Sequence, residues 1–120
     1  MREHDLQALA DLITEHFHSR SVIVKLKTVN RGHAHFDTRL VSIPKWAGKR
    51  GEQFAIYYVV HEACHVIAFD LWRITTHGDL FKNIEKQALA LWGLTIEYKR
   101  AYPAALSANG ERVYRAKDYK

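Results

Sequence analysis

Five residues carry the chemistry most plainly: His61-Glu62-Ala63-Cys64-His65, followed twelve positions later by His77-Gly78. The first five read HExxH, a spacing that makes a metal site when it lies on a helix. Phe54 to Phe69 contains no Gly or Pro, and Ile56, Val59 or Val60, Ala63 and Ile67 recur at helical period. On that helix His61 and His65 project from one face, one turn apart. Two imidazoles there can reach one metal at about 2.0–2.1 Å, and Glu62 stands next to them as a base. A third ligand must come from elsewhere. His77 is the preferred candidate, with Asp79 as its rival.

The expected chemistry is hydrolytic. Three neutral imidazoles and one water complete a tetrahedral catalytic Zn2+ site. Zinc acidifies its water and polarises a carbonyl. Glu62 accepts the water proton and returns it to the leaving amine. The oxyanion that develops needs a further donor, for which Tyr57, Tyr58 or a basic side chain is available. The metal ligands are thus His61, His65 and His77, and the catalytic residue is Glu62. A contrasting reading is a non-catalytic protein, zinc-stabilised or basic and nucleic-acid-binding.

The elements that must position these residues are legible as periods. Residues 4–18 are predicted as a helix with the stripe Leu6, Leu9, Ala10, Ile13 and Phe17. Residues 21–29 alternate as a strand; 33–37 and 39–43 are two more, joined as a hairpin or a meander. Gly32 supplies a permissive turn backbone, and Pro44 ends the third strand. Residues 39–43 are the expected edge on which an extended substrate pairs. The motif helix is expected over 52–69. A further helix spans 80–92, with Leu80, Ile84, Ala88 and Leu91 inward, broadened by Phe81 and Trp92, Asp79 as its N-cap and Gly93 as its stop. Gly78 is read as the tight turn that holds His77 before that helix. Residues 94–99 form a last extended segment. The class is α+β: an N-terminal helix, a small sheet of three or four strands, the HExxH helix and a following helix.

Other chemistry-bearing residues are read as structural. Cys64 points away from His61 and His65 and is expected in the core. His33 and His35 share one strand face, and HxH can bind metal, but a solvated sheet face is the preferred reading. His16 and His18 have no spacing that ties them to the central pair.

A chain of 120 residues is expected to form one domain, residues 1–100, with a basic extension over 101–120. The single cysteine rules out an internal disulfide framework and a cysteine-rich zinc ribbon. No apolar run is read as a membrane span, and the charged start MREHDLQALADL lacks the apolar core of a secretory signal. Together these predict a cytoplasmic setting with no membrane partner. The net charge of +5 favours anionic partners, DNA included.

HEACH at His61–His65, eleven intervening residues and HGDLF from His77 to Phe81 resemble the SprT-like family of zincin metallopeptidases. The resemblance covers roughly residues 5–95, its specific part 61–81. It implies a zincin-like fold in a minimal form without the family's zinc ribbon. It implies zinc on His61, His65 and His77, and Glu62 as the catalytic glutamate. It also implies a protein or peptide substrate, with DNA-associated proteins the expected class and DNA a partner through the basic surface.

Overall fold

The computed structural model describes residues 2–50, 52–98, 104–106 and 112–115. The chain opens with helix α1 (Glu3–His16), followed by strands β1 (Ile23–Lys27), β2 (His33–His35) and β3 (Leu40–Pro44). A 3-10 segment, Lys45–Arg50, leads into α2 (Glu52–Trp72), and α3 (Asp79–Ala90) follows. Strands β4 (Thr95–Glu97), β5 (Ala104–Leu106) and β6 (Arg112–Arg115) form a second antiparallel sheet in that order. The expected α+β architecture is present: an N-terminal helix, a small mixed sheet, the motif helix and its successor.

Amphipathic periodicity builds α1. Leu6, Ala10 and Ile13 are fully buried, with Leu9 and Phe17 beside them. Its polar side chains do a second job. Gln7 Nε2 donates to the Val22 carbonyl, and the Val24 N–H donates to Gln7 Oε1, both at 2.8 Å. The Leu26 N–H donates to Glu3 Oε1, also at 2.8 Å. These amides lie on the outer edge of β1, so α1 closes an edge that would otherwise template foreign strands.

The first sheet has the order β1-β3-β2, with β1 parallel and β2 antiparallel to β3. The second and third strands form the expected hairpin, β2 turning into β3 through residues 36–39, and β1 joins it in parallel on the far side of β3. The expected substrate edge at residues 39–43 is overturned: β3 is central, and its backbone groups are used on both sides. Among the described residues no strand pairs with the other side of β2, so that edge is the open one.

Two ties hold this layer to the helices. Arg39, at φ +60°, is almost buried and donates Nη1 to Asp70 Oδ1 of α2 at 2.8 Å and Nε to the Ser21 carbonyl at 2.8 Å. It also bonds the Arg20 carbonyl. One guanidinium thus joins the connection between α1 and β1, the start of β3 and the end of α2. At the other tie, the Gly32 N–H donates to Tyr58 Oη at 2.6 Å. A Cβ on Gly32 would stand 2.4 Å from Tyr58 Cε1 and 2.9 Å from the Ser42 carbonyl oxygen. Close approach, rather than a special backbone angle, explains this glycine.

Helix α2 is buried on nearly every side, from Phe54 through Ala68. At 21 residues it is long and apolar enough to cross a membrane by length and composition, contrary to the sequence reading. Here 72% of its most apolar window is buried within the protein, and α1, α3 and the first sheet pack on it. That apolar character is used as core.

Helix α3 differs from expectation in its inward face. Phe81, Ile84, Glu85, Ala88 and Leu89 are buried, whereas Leu80 and Leu91 are exposed. The N-cap is Gly78, at φ −73° and ψ −171°, and Asp79 is the first helical residue with no capping bond from its side chain. Asp79 acts only as an acidic group in the first turn, where the helix dipole favours it. Gly78 has an ordinary extended backbone, and a Cβ there would meet Thr76 Oγ1 at an unstrained 3.8 Å. Gly93, at φ +68°, does stop the helix, and the Leu94 N–H closes back on the Leu89 carbonyl at 3.1 Å.

Candidate metal centre

One helical turn separates His61 from His65 on α2, and the loop after α2 brings His77 back over them. The ring centroids are 4.8 Å apart for His61–His65, 4.6 Å for His65–His77 and 5.3 Å for His61–His77. One ligand nitrogen from each lies within 4.8 Å of the others, and His65 Nε2 and His77 Nε2 are 2.9 Å apart. A tetrahedral zinc with bonds of about 2.0–2.1 Å places its nitrogen ligands about 3.3 Å apart. The trio needs only small adjustments to hold such an ion. Asp79 is exposed and is not part of this group.

The trio rests on an apolar floor. Phe81, 1% exposed, stacks on His65 at 4.5 Å and meets His77 edge-on at 5.0 Å and His61 at 5.5 Å. This ring keeps water from beneath the imidazoles and limits their rotation. Tyr57 stacks on His61 from the preceding turn, with centroids 6.3 Å apart.

Sequence reasoning missed the residue beneath His61. Glu85, 1% exposed, places Oε2 2.6 Å from His61 Nδ1. Its other oxygen accepts the Tyr98 hydroxyl at 2.5 Å. With two donors aimed at it, Glu85 is an acceptor through both oxygens, so the His61 proton resides on Nδ1. Nε2 is left with a lone pair facing the cluster. This is the carboxylate–histidine arrangement that fixes a ligand's tautomer and orientation. The signal was readable: Glu85 lies one turn after Phe81, a carboxylate at an inward position of α3. Burial, then the Glu85 charge, pushes the Tyr98 pKa up and keeps its hydroxyl a donor.

Electrostatics divides the histidines. Burial disfavours a charged His61, but the Glu85 hydrogen bond and charge outweigh it, and the pKa is raised. Burial lowers that of His65 to about 3, helped by the charges of His61, His77 and His33. Burial and His61 also lower that of His77. Neutral imidazole is the form that binds metal.

Glu62 is 8% exposed, and its Oε1 lies 3.9 Å from His61 Nε2. Burial raises its pKa, opposed by His61 and His33. A buried carboxylate of raised pKa beside a histidine cluster is suited to taking and returning a proton. The fold therefore supplies a zincin-like site, consistent with metal-activated hydrolysis.

Strand β2 borders this centre. Gly32, just before it, is held to Tyr58, and Phe36, just after it, stacks on Phe69 at 4.7 Å. Those two α2 residues bracket His61, Glu62 and His65. Ala34 packs against the core, and His33 and His35 alternate to the other face. Tyr57 and Tyr58, the candidate oxyanion donors, are 2% and 3% exposed, and the Tyr58 hydroxyl accepts the Gly32 amide. Both are core residues. Cys64 is fully buried, as expected. His16 and His18 are exposed and lie outside the trio.

Compared with known proteins, the chain matches no family model, no curated protein and no solved structure.

Proposed function

We propose that this chain is a zinc-dependent endopeptidase of the SprT-like kind, with Zn2+ held by His61, His65 and His77. The observation that carries the reading is the convergence of three imidazole nitrogens within 4.8 Å, with the Glu62 carboxylate 3.9 Å from one of them. Zinc, when bound, supplies an acidified water and a charge that polarises the scissile carbonyl. Glu62 would accept the proton of the attacking water and deliver it to the leaving amine nitrogen. Glu85 holds His61 in the ligating tautomer, and Phe81 excludes water below.

The open edge of β2 supports an extended peptide as substrate. A chain laid along it gains main-chain hydrogen bonds and passes the mouth of the trio. The finer proposal is that the substrates are proteins associated with DNA, in the cytoplasm. Exposed Lys25, Lys27, Arg31, Lys45 and Lys49 around the first sheet support binding of a polyanion. Residues 1–100 are the proposed catalytic domain, and the basic segment 101–120 its extension, attached through β5 and β6 to β4.

The test is Glu62→Gln in purified, zinc-loaded protein. Zinc content is expected to stay at the wild-type level, while cleavage of an unfolded protein falls by about 10²–10⁴-fold, the usual worth of a general base. Unchanged turnover would sink the mechanism. Running the wild-type assay with and without DNA, at rising salt, tests the DNA-associated part separately.

A further inference from the structure

The histidines of β2 are unused by the chemistry above. His33 and His35 are two residues apart on a strand, so both side chains leave the same face. Their ring centroids are 4.5 Å apart. Within the catalytic trio the corresponding separations are 4.6, 4.8 and 5.3 Å. The β2 pair is therefore spaced as closely as imidazoles that can share an ion. It is reachable from solvent: His33 is exposed and His35 half-buried. Antiparallel pairing of His33 with Ser42 and of His35 with Leu40 fixes the strand that carries them.

We propose that His33 and His35 form a second, accessory metal site on the open edge strand, weaker than the trio and specific for imidazole-seeking divalent cations. Zn2+, Ni2+ and Cu2+ suit such a donor pair; Mg2+ and Ca2+ require oxygen ligands and do not. Water completes the coordination. The site does not depend on peptidase activity, because none of its ligands belongs to the trio.

The experiment is calorimetric titration of the full chain, already loaded with one equivalent of zinc, with further Zn2+ and with Ni2+. A second, weaker event is expected in the wild type. It should be lost in His33→Ala and in His35→Ala, retained in the His16→Ala/His18→Ala control and in Glu62→Gln, and absent with Mg2+. In unmutated protein, Ni2+ should broaden the NMR amide signals of residues 33–35 and 40–42 first. Absence of a second event, its persistence in both β2 variants, or broadening centred elsewhere would overturn the proposal. Retention in Glu62→Gln keeps this result separate from the fate of the peptidase reading.

Discussion

At the scale of single residues, the ligands are better defined by the sequence than their supports. His61, Glu62 and His65 are neighbours on one turn, so spacing alone places them. Glu85 meets His61 across 24 positions, and only packing of α3 on α2 brings the pair together. Its role gives a clear expectation. Glu85→Gln leaves one acceptor oxygen for two donors, and zinc affinity should fall about 10–100-fold, read by competition with a chelator. The trio itself sets an acid limit. In metal-free protein burial lowers the His65 pKa from its ordinary 6.5 to about 3. Between those values the unfolded chain takes up a proton that folded His65 refuses, so the stability from this residue is present above about pH 6.5 and is lost as pH falls towards 3. Urea unfolding of the metal-free protein across that window should show a steep acid limb that flattens in His65→Asn.

Elements were legible where their period is local. The stripe of α1, the run of α2 and the glycine stop of α3 could all be read from the residues. Strand order could not, because β1 pairs with β3 past the intervening β2, and no short-range pattern encodes a pairing that skips a strand. Glycines show the same limit. Gly32 and Gly78 look alike as turn residues, yet a Cβ would be pressed against Tyr58 at one and would meet only Thr76 Oγ1, at an ordinary 3.8 Å, at the other. Gly32→Ala should cost about 1–3 kcal/mol by overpacking. Gly78→Ala should stay within about 0.5 kcal/mol of wild type, as surface changes do. Denaturant midpoints of the two variants check both. The inward face of α3 was misjudged because Leu80 and Leu91 are more apolar than Glu85, although the buried carboxylate has partners that Leu80 and Leu91 do not need.

Across the whole molecule, α2 is the axis. Its enclosure by α1, α3 and the first sheet lets it carry both the core and the ligands. That dual use is why it has the hydropathy of a membrane helix while presenting two histidines and a glutamate to the centre. Capping of the β1 edge by Gln7 and Glu3 could not be read from the sequence, because each partner is an ordinary polar residue until the fold sets it beside an unpaired amide. In the first sheet, among the described residues, the outcome is one guarded edge and one open edge, with the open edge beside the site.

The chain's single thiol sits inside that axis. Cys64 is fully buried, and burial followed by the Glu85 charge holds its pKa well above the ordinary value. A thiol so placed resists oxidation in the folded state and reacts only when the molecule opens. Labelling of Cys64 by a disulfide reagent therefore works as a clock for opening, without any introduced probe. With zinc held by the closed form as proposed, raising free zinc from none to a hundredfold excess over its dissociation constant should slow labelling by about a hundredfold where opening pre-equilibrates. Rapid labelling that ignores zinc would show that the motif helix opens independently of its own ligands.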